Sequence, residues 1–516
     1  MAFPYRETVS DTGQTFIAGD SVESESTLNK ARWTQYLDNA IFAFLALFAI
    51  LLPHSIKGAE RSWKIALVLW LVKIVIARAR PFRQPLVLPL LFYAVLSAIS
   101  TILSPEPYLS WDRMKMVCLL LAGIVVAQNL KRLSQVRWLV ALLVLSGLSA
   151  ALFTAWQYTY GIGVRLAALP PATRLEQVGF RPNDTITAVA GRAVHTPQQL
   201  VRELQNLPPS GRVSIRYMPY MISRADSLVA TPNDFLASGL GTPAMQLVRG
   251  RPDRAQGTLG HYVVFAEMLM QISCLGWALL LGTGPGLRRT KVALAVISLS
   301  IIAALIAAET RAALVGLALG CLVALPLLDK RRVRLSVAAL LLALGATGTY
   351  WIVHARGLNW TSSNDLGTQF RLVAWHDALH LIRQHPWFGV GMETVRVHWR
   401  EWGIRSFAQF HVVGHFHSTL LQIAVERGLL TLAAWIWFVV AYCVFLFRLI
   451  GKSRERSRFA TAVVTGILAG FVAFLTTSLV HYNLGEEPLV MLLFFFFGIA
   501  IAIDHLLTIP TAIDVA

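Results

Sequence analysis

Residues 488–507 read PLVMLLFFFFGIAIAIDHLL, with Asp504 the only acidic or basic group apart from a histidine. At about 1.5 Å of helical rise per residue, such a stretch spans the roughly 30 Å hydrocarbon core of a bilayer. Comparable blocks recur along the chain. Of its 516 residues, 55% are hydrophobic and only 14% charged, against about a quarter charged in soluble domains. This excludes an ordinary soluble enzyme, a disordered chain and a disulfide-built module. The expectation is an all-α polytopic membrane protein with twelve spans: 37–54, 63–77, 86–104, 114–130, 138–159, 261–282, 291–309, 311–328, 335–353, 429–449, 459–480 and 488–507. The second span contains Lys73 and the ninth is rich in Gly and Ala. Both are needed to keep the basic loops on one side.

The net charge is +18, but its placement argues for a membrane and against nucleic acid. Basic clusters such as Arg288–Arg289–Lys291 and Lys330–Arg331–Arg332–Arg334 fall at every second loop, as the positive-inside rule requires. Residues 1–35 then read as a polar cytoplasmic tail, too long and too acidic for a signal peptide. Spans one to five fill 36–159, and both termini are cytoplasmic. The outer face carries 160–260 and a loop over 354–428; the last three spans occupy 429–516. The four cysteines are scattered through apolar blocks with no CxxC, so no disulfide or zinc framework is expected.

The first outer segment reads as a small α+β module over 160–222, followed by a linker and spans six to nine over 223–353. Thr185–Val189 alternate as a half-buried strand, Gly191 turns the chain, and Thr196–Pro197 open an amphipathic helix carrying Leu200, Val201 and Leu204. Val213–Tyr217 alternate again. The order resembles a bacterial PDZ domain, with Asn183 in place of the usual Gly before Asp184 and Gly161–Val164 as its carboxylate-binding loop. That resemblance implies peptide capture by strand addition, and so an envelope-protein partner.

The second outer segment concentrates eight of the thirteen histidines, among them His376, His380, His411, His415 and His417, with Trp360, Trp375, Trp387, Trp399 and Trp402. Imidazole accepts a hydroxyl proton near neutral pH, and aromatic rings stack on sugars or mark the interface. Arg254 precedes span six, and Arg311 stands between spans seven and eight with no polar loop around it. An arginine at bilayer depth costs about 2.5–3.5 kcal/mol unless it faces a cavity or partner. Its planar fork suits phosphate oxygens.

These residues come in a familiar order: RAQGTLGHYVVFAE from Arg254, TRAALVGLALG around Arg311, FRLVAWHDALHLIRQHPWFGVG from Phe370, and GHFHSTLLQIAVERGLLTL from Gly414. The pattern is similar to the O-antigen ligase and polymerase superfamily of bacterial envelopes. His417–Ser418, nine residues, Gly428 and Thr431 match the family's ligase motif, whereas Val315 stands where an Arg-x3-Leu motif has leucine. The resemblance implies a GT-C-like architecture in the bacterial inner membrane with a periplasmic active site. It implies transfer of a glycan from undecaprenyl diphosphate to an acceptor hydroxyl, foremost that of lipid A–core, with inversion. Polymerase or protein O-oligosaccharyltransferase activity is the alternative. In this reading His417, Arg311 and Arg254 are catalytic, and Arg371, His415, Ser418 and Trp387 contact substrate. No cofactor or metal is called for, because diphosphate is already a good leaving group.

Two other classes fit these residues less well. His376 and His380 stand at the i, i+4 spacing of a zincin helix, but lack an evident third ligand and the HExxH of an intramembrane protease. A PDZ-regulated transporter or flippase would use mid-span ionisable groups such as Glu267 or Glu426 together with internal repeats; no repeat is evident.

Overall fold

A computed structural model describes residues 18–509 except 78–80, 83, 220–225, 253, 285, 329, 356–365 and 411–412. Most of the chain is helical. The first block comprises α1 (Ala18–Leu51), α2 (Ile56–Ala77), α3 (Val87–Ile102), α4 (Pro107–Cys118), α5 (Leu120–Asn129) and α6 (Leu133–Tyr160). The expected tail is therefore helical from Ala18, and its first seventeen residues lie outside the described part. Span four is divided between α4 and α5 at Leu119.

An α+β unit follows: β1 (Gly163–Ala168), α7 (Arg174–Val178), β2 (Thr185–Val189), β3 (Arg192–Ala193), α8 (Pro197–Gln205), β4 (Val213–Met218), β5 (Asp226–Ala230), α9 (Pro232–Ala237) and β6 (Gln246–Gly250). The main strand order is β5-β4-β2-β1-β6, every pair antiparallel. The unit thus runs to Gly250 rather than ending at residue 222, because the segment expected to be a linker supplies both edge strands. It also bears on the reading of Gly161–Val164 as a carboxylate-binding loop. Gly163 and Val164 pair with Gly250 and Arg249 of β6 while Val164 pairs with Ile186 of β2, so that backbone has partners on both sides. Phe180, Ile186, Leu200, Ile215 and Phe235 form a core separate from that of the membrane helices.

The chain returns as α10 (Tyr262–Gly282), α11 (Arg288–Ala307), α12 (Arg311–Val323) and α13 (Arg331–Ala355). It ends, after the short helices α14 (Leu366–Gln384), α15 (Val395–His398) and α16 (Arg405–Phe410), in α17 (Thr419–Arg454), α18 (Arg458–Ser478) and α19 (Glu487–Thr508). Among the described residues, seven helices are long and apolar enough to cross a membrane. The protein is a multi-pass membrane protein. The other five predicted spans are also helical. Buried Lys73 is accommodated on α2 by Asp38 at 2.8 Å and the Asn129 amide oxygen at 3.1 Å.

Small residues set the approach of α12 to α18. A Cβ at Gly316 would stand 3.0 Å from the Ala473 carbonyl, and one at Gly320 would stand 2.6 Å from that of Ala469. Such small-xxx-small faces let helices pack closely where no hydrophobic effect drives them together. This contact fixes the N-terminus of α12, where Arg311 sits.

The separate core of the α+β unit makes a prediction. Phe180 is fully buried there, edge-on to Tyr217 at 5.0 Å, and Phe180→Ala should cost about 3–5 kcal/mol within that unit. Limited proteolysis should then cut within 163–250 while the membrane helices stay associated. Uniform cutting throughout the chain would contradict two independent cores.

Candidate active site

The site is organised by a break in α17. Gly428 takes φ 79° and ψ 172° within the helix, a region essentially closed to other residues. A Cβ there would lie 2.0 Å from the Trp387 carbonyl oxygen. The break frees helix carbonyls, and the loop after α14 uses them. Val390 N–H donates to Val425 O (2.9 Å), Gly391 N–H to Glu426 O (2.8 Å), and Leu429 N–H returns to Pro386 O (2.7 Å). The Thr431 hydroxyl covers the Arg427 carbonyl at 2.7 Å. The motif spacing from His417 to Gly428 and Thr431 therefore has a local cause: about two and a half helical turns separate the N-terminal histidine from the break that stitches the outer loop to the membrane helix.

Thr419, first in α17, donates to the His481 carbonyl (3.0 Å) and to the Asn483 amide oxygen (2.8 Å). These bonds bring the loop after α18 beside the histidines before α17. The rings of His415 and His417 are 4.2 Å apart, and His481 is 5.9 Å from His415. His417 itself has φ 50°, which leaves it in the left-handed region that most side chains avoid.

A cavity of about 520 Å³ opens where these groups meet the N-termini of α10 and α12. It brings together Arg254, Arg311, Arg371, His415 and His417. Ser418 is buried at the N-cap of α17 and does not line it, and Trp387 is largely exposed elsewhere, its carbonyl packed on the Gly428 break. His411 and Trp360 lie outside the described residues. Arg254 is held over the Tyr262 ring at 4.5 Å and near Glu309 at 4.0 Å. Three guanidiniums and two helix N-termini, whose unsatisfied N–H groups and dipoles favour anions, thus surround one space.

Sequence reasoning missed His261 and His481 and read Glu267 only as a transport signature. All three line the cavity. His261 caps α10 by accepting the Val264 N–H on Nδ1; an extended residue just ahead of an apolar run is the signal that could have found it. His481 Nδ1 lies 2.9 Å from the buried Glu267 carboxylate. Burial alone would lower its pKa, but that carboxylate outweighs it and the pKa is raised. The other histidines are kept neutral. Burial, then the charge of Arg371, pushes His417 down to about 3. Burial, then His481, takes His261 to about 4, and burial with the neighbouring histidines holds His415 well below the usual value. His415 Nδ1 accepts the His417 N–H at 3.2 Å, so its proton is on Nε2.

Residues 294–436 match the family described as O-antigen ligase. This stretch is similar to O-antigen ligases. It contains Arg311, Arg371, His415 and His417 and reaches just past Thr431, while Arg254 and His261 lie upstream of it. The match supports a glycan-ligase type of activity. No curated protein matches the chain. Outside the cavity, the zincin-like pair in this stretch is held by structural bonds. His376 Nδ1 is bonded to Arg405 at 2.7 Å, His380 Nε2 to Gln384 at 3.2 Å, and Asp377 accepts the Ser406 N–H at 2.8 Å.

Gly428→Ala should lower the thermal stability of the purified protein by at least about 1–3 kcal/mol, from backbone strain alone. Gly414→Ala, with nothing within 4 Å of its Cβ position, should leave stability unchanged. Equal melting temperatures for both variants would contradict the role assigned to the break.

Proposed function

We propose that the protein is an inverting glycosyltransferase, moving a glycan from undecaprenyl diphosphate to an acceptor hydroxyl, with lipid A–core the leading acceptor. The chain crosses the bacterial inner membrane twelve times, with both termini cytoplasmic and the cavity at the periplasmic face. The observation that carries this reading is the convergence of Arg254, Arg311 and Arg371 with His415 and His417 in one cavity. The lining carries three guanidiniums against the carboxylates of Glu267 and Glu309, and Glu267 already faces His481. Such a space favours an anion of more than one charge.

In the reaction, the acceptor oxygen attacks the anomeric carbon and the carbon–oxygen bond to diphosphate breaks. Its electron pair leaves with the diphosphate, whose growing charge falls among the arginines and helix N-termini. His417 accepts the hydroxyl proton. Unprotonated at neutral pH, it is a weak base in the empty cavity. The bound diphosphate offsets the field of Arg371, raises the histidine's pKa and makes it a better proton acceptor. Donor binding thereby prepares the base. The α+β unit, with its sheet edge and bacterial PDZ-like order, is assigned to holding an envelope protein near the site.

Transfer from undecaprenyl-diphosphate oligosaccharide to lipid A–core in liposomes tests the reading. His417→Ala should lose about 10²–10⁴-fold in kcat, and Arg311→Ala about 10²–10³-fold. Full activity in folded variants would contradict it. Because kcat/KM reports the free enzyme, wild type should show no acid limb from His417 near the ordinary value of 6.5. Arg371→Ala should move that limb upward from about 3. An acid limb that Arg371→Ala leaves where it is in wild type would contradict this role for His417.

A further inference from the structure

Arg254 enters the cavity on a short segment that the α+β unit holds from one side and the membrane helices from the other. Only Gly161 and Ile162 separate the end of α6 from β1, and Arg254 follows the end of β6 by four residues. The two strands pair along their length, from Gly163 against Gly250 to Ala168 against Gln246, and β1 pairs with β2 on its other side. Ile162 N–H extends this ladder toward the membrane, donating to Gly250 O at 3.0 Å. Past Gly250, the Arg165 guanidinium of β1 reaches the Arg251 carbonyl at 2.7 Å, and the Gln256 amide donates to the Met218 sulfur of β4 at 3.3 Å. From the membrane side, Ala255 N–H donates to the Ala307 carbonyl at 2.9 Å, which also accepts the Tyr158 hydroxyl of α6 at 3.3 Å. Ala255, Gln256 and Gly257 are buried, and a Cβ at Gly257 would lie 2.4 Å from the Phe265 ring of α10.

We propose that Arg165 is a positioning residue for Arg254, and that through it the α+β unit sets the affinity of the cavity for diphosphate. The inference rests on the transferase reading above and extends it to a part of the chain outside the matched stretch 294–436. Arg165 lies on the sheet and does not line the cavity; it acts on a carbonyl three residues ahead of Arg254. Four residues of chain span at most about 14 Å, so a shift of β6 along β1 is passed to the guanidinium. That group grips phosphate oxygens through a fixed planar fork, and a misplacement of about 1 Å is costly at such a contact. Glu309 and the Tyr262 ring, at 4.0 and 4.5 Å, keep the side chain aimed once its backbone is fixed. A tie that served only to fasten the unit to the membrane would need no contact at Arg251, because the β1–β6 ladder already does so. The Arg165 bond is a charged donor on a carbonyl, stronger than a bond between neutral groups, and it falls where the ladder ends and the segment carrying Arg254 begins. Anything that bends the ladder then alters donor binding.

The test is binding of undecaprenyl diphosphate to the full-length protein in liposomes, in a double-mutant cycle of Arg165→Ala and Arg254→Ala. Arg165→Ala should weaken binding about fivefold or more, the loss of one charged hydrogen bond. Arg165→Lys, which keeps a donor on a long stem, should bind within about twofold of wild type. In the Arg254→Ala background, Arg165→Ala should change binding by less than about twofold, because a residue that acts through Arg254 then has nothing to position. In transfer assays Arg165→Ala should raise the KM for undecaprenyl-diphosphate oligosaccharide and leave that for lipid A–core within about twofold. Arg192→Ala, which breaks only an exposed pair with Glu203 on the same unit, should match wild type. Binding unchanged by Arg165→Ala, weakened equally by Arg192→Ala, or weakened by the same factor with and without Arg254, would overturn this inference and leave the transferase reading standing. Wild-type affinity in Arg254→Ala, or no saturable binding by wild type, would overturn both.

Discussion

Fixed positive charge held beside a membrane is the constraint to which the rest of this site responds. Guanidiniums cannot shed their protons, and Arg254, Arg311 and Arg371 share their cavity with the N-termini of two helices. Neighbouring histidines stay neutral chiefly because they are buried, with the Arg371 charge adding to this at His417 and His481 at His261. His481 alone is raised, because the buried Glu267 carboxylate faces it. An arrangement of this kind is most stable with an anion inside it.

Holding the groups in place falls to the membrane helices and one interruption in them. Close approach of Gly316 and Gly320 to α18 positions the start of α12. The break at Gly428 lets the outer loop bond to the backbone of α17, and Thr419 ties the same helix to the loop carrying His481. Residues distant in sequence thus share one wall without relying on loop packing alone. Glu309 and His417 both have positive φ, and both line the cavity. Strain of this kind persists where surrounding structure fixes the backbone.

Much of this was legible in the sequence, for identifiable reasons. Apolar blocks mark membrane helices because lipid leaves the backbone no other partner, and the cost of a lone arginine in such a block singled out Arg311. His417 was found through its spacing to Gly428. Ser418 stands at the N-cap position of α17 and does not line the cavity; motif membership does not say where a side chain points. Trp387 was misplaced because its contribution is a carbonyl, which every residue has. The α+β unit was ended too early because β6 pairs with β1 across the whole module, a contact that local alternation does not reveal. His261 and His481 gave no local signal as a pair, since only the packing of α10 against α18 brings them to one cavity.

The most direct measurement is binding of undecaprenyl diphosphate to the purified full-length protein, compared with undecaprenol and across a salt series. The account predicts saturable binding of the diphosphate, much weaker binding of the alcohol, and a loss of about tenfold or more when Arg254, Arg311 or Arg371 is changed to alanine, as loss of a charge-assisted contact to phosphate implies. Equal affinity for diphosphate and alcohol, or binding untouched by all three substitutions together, would contradict it.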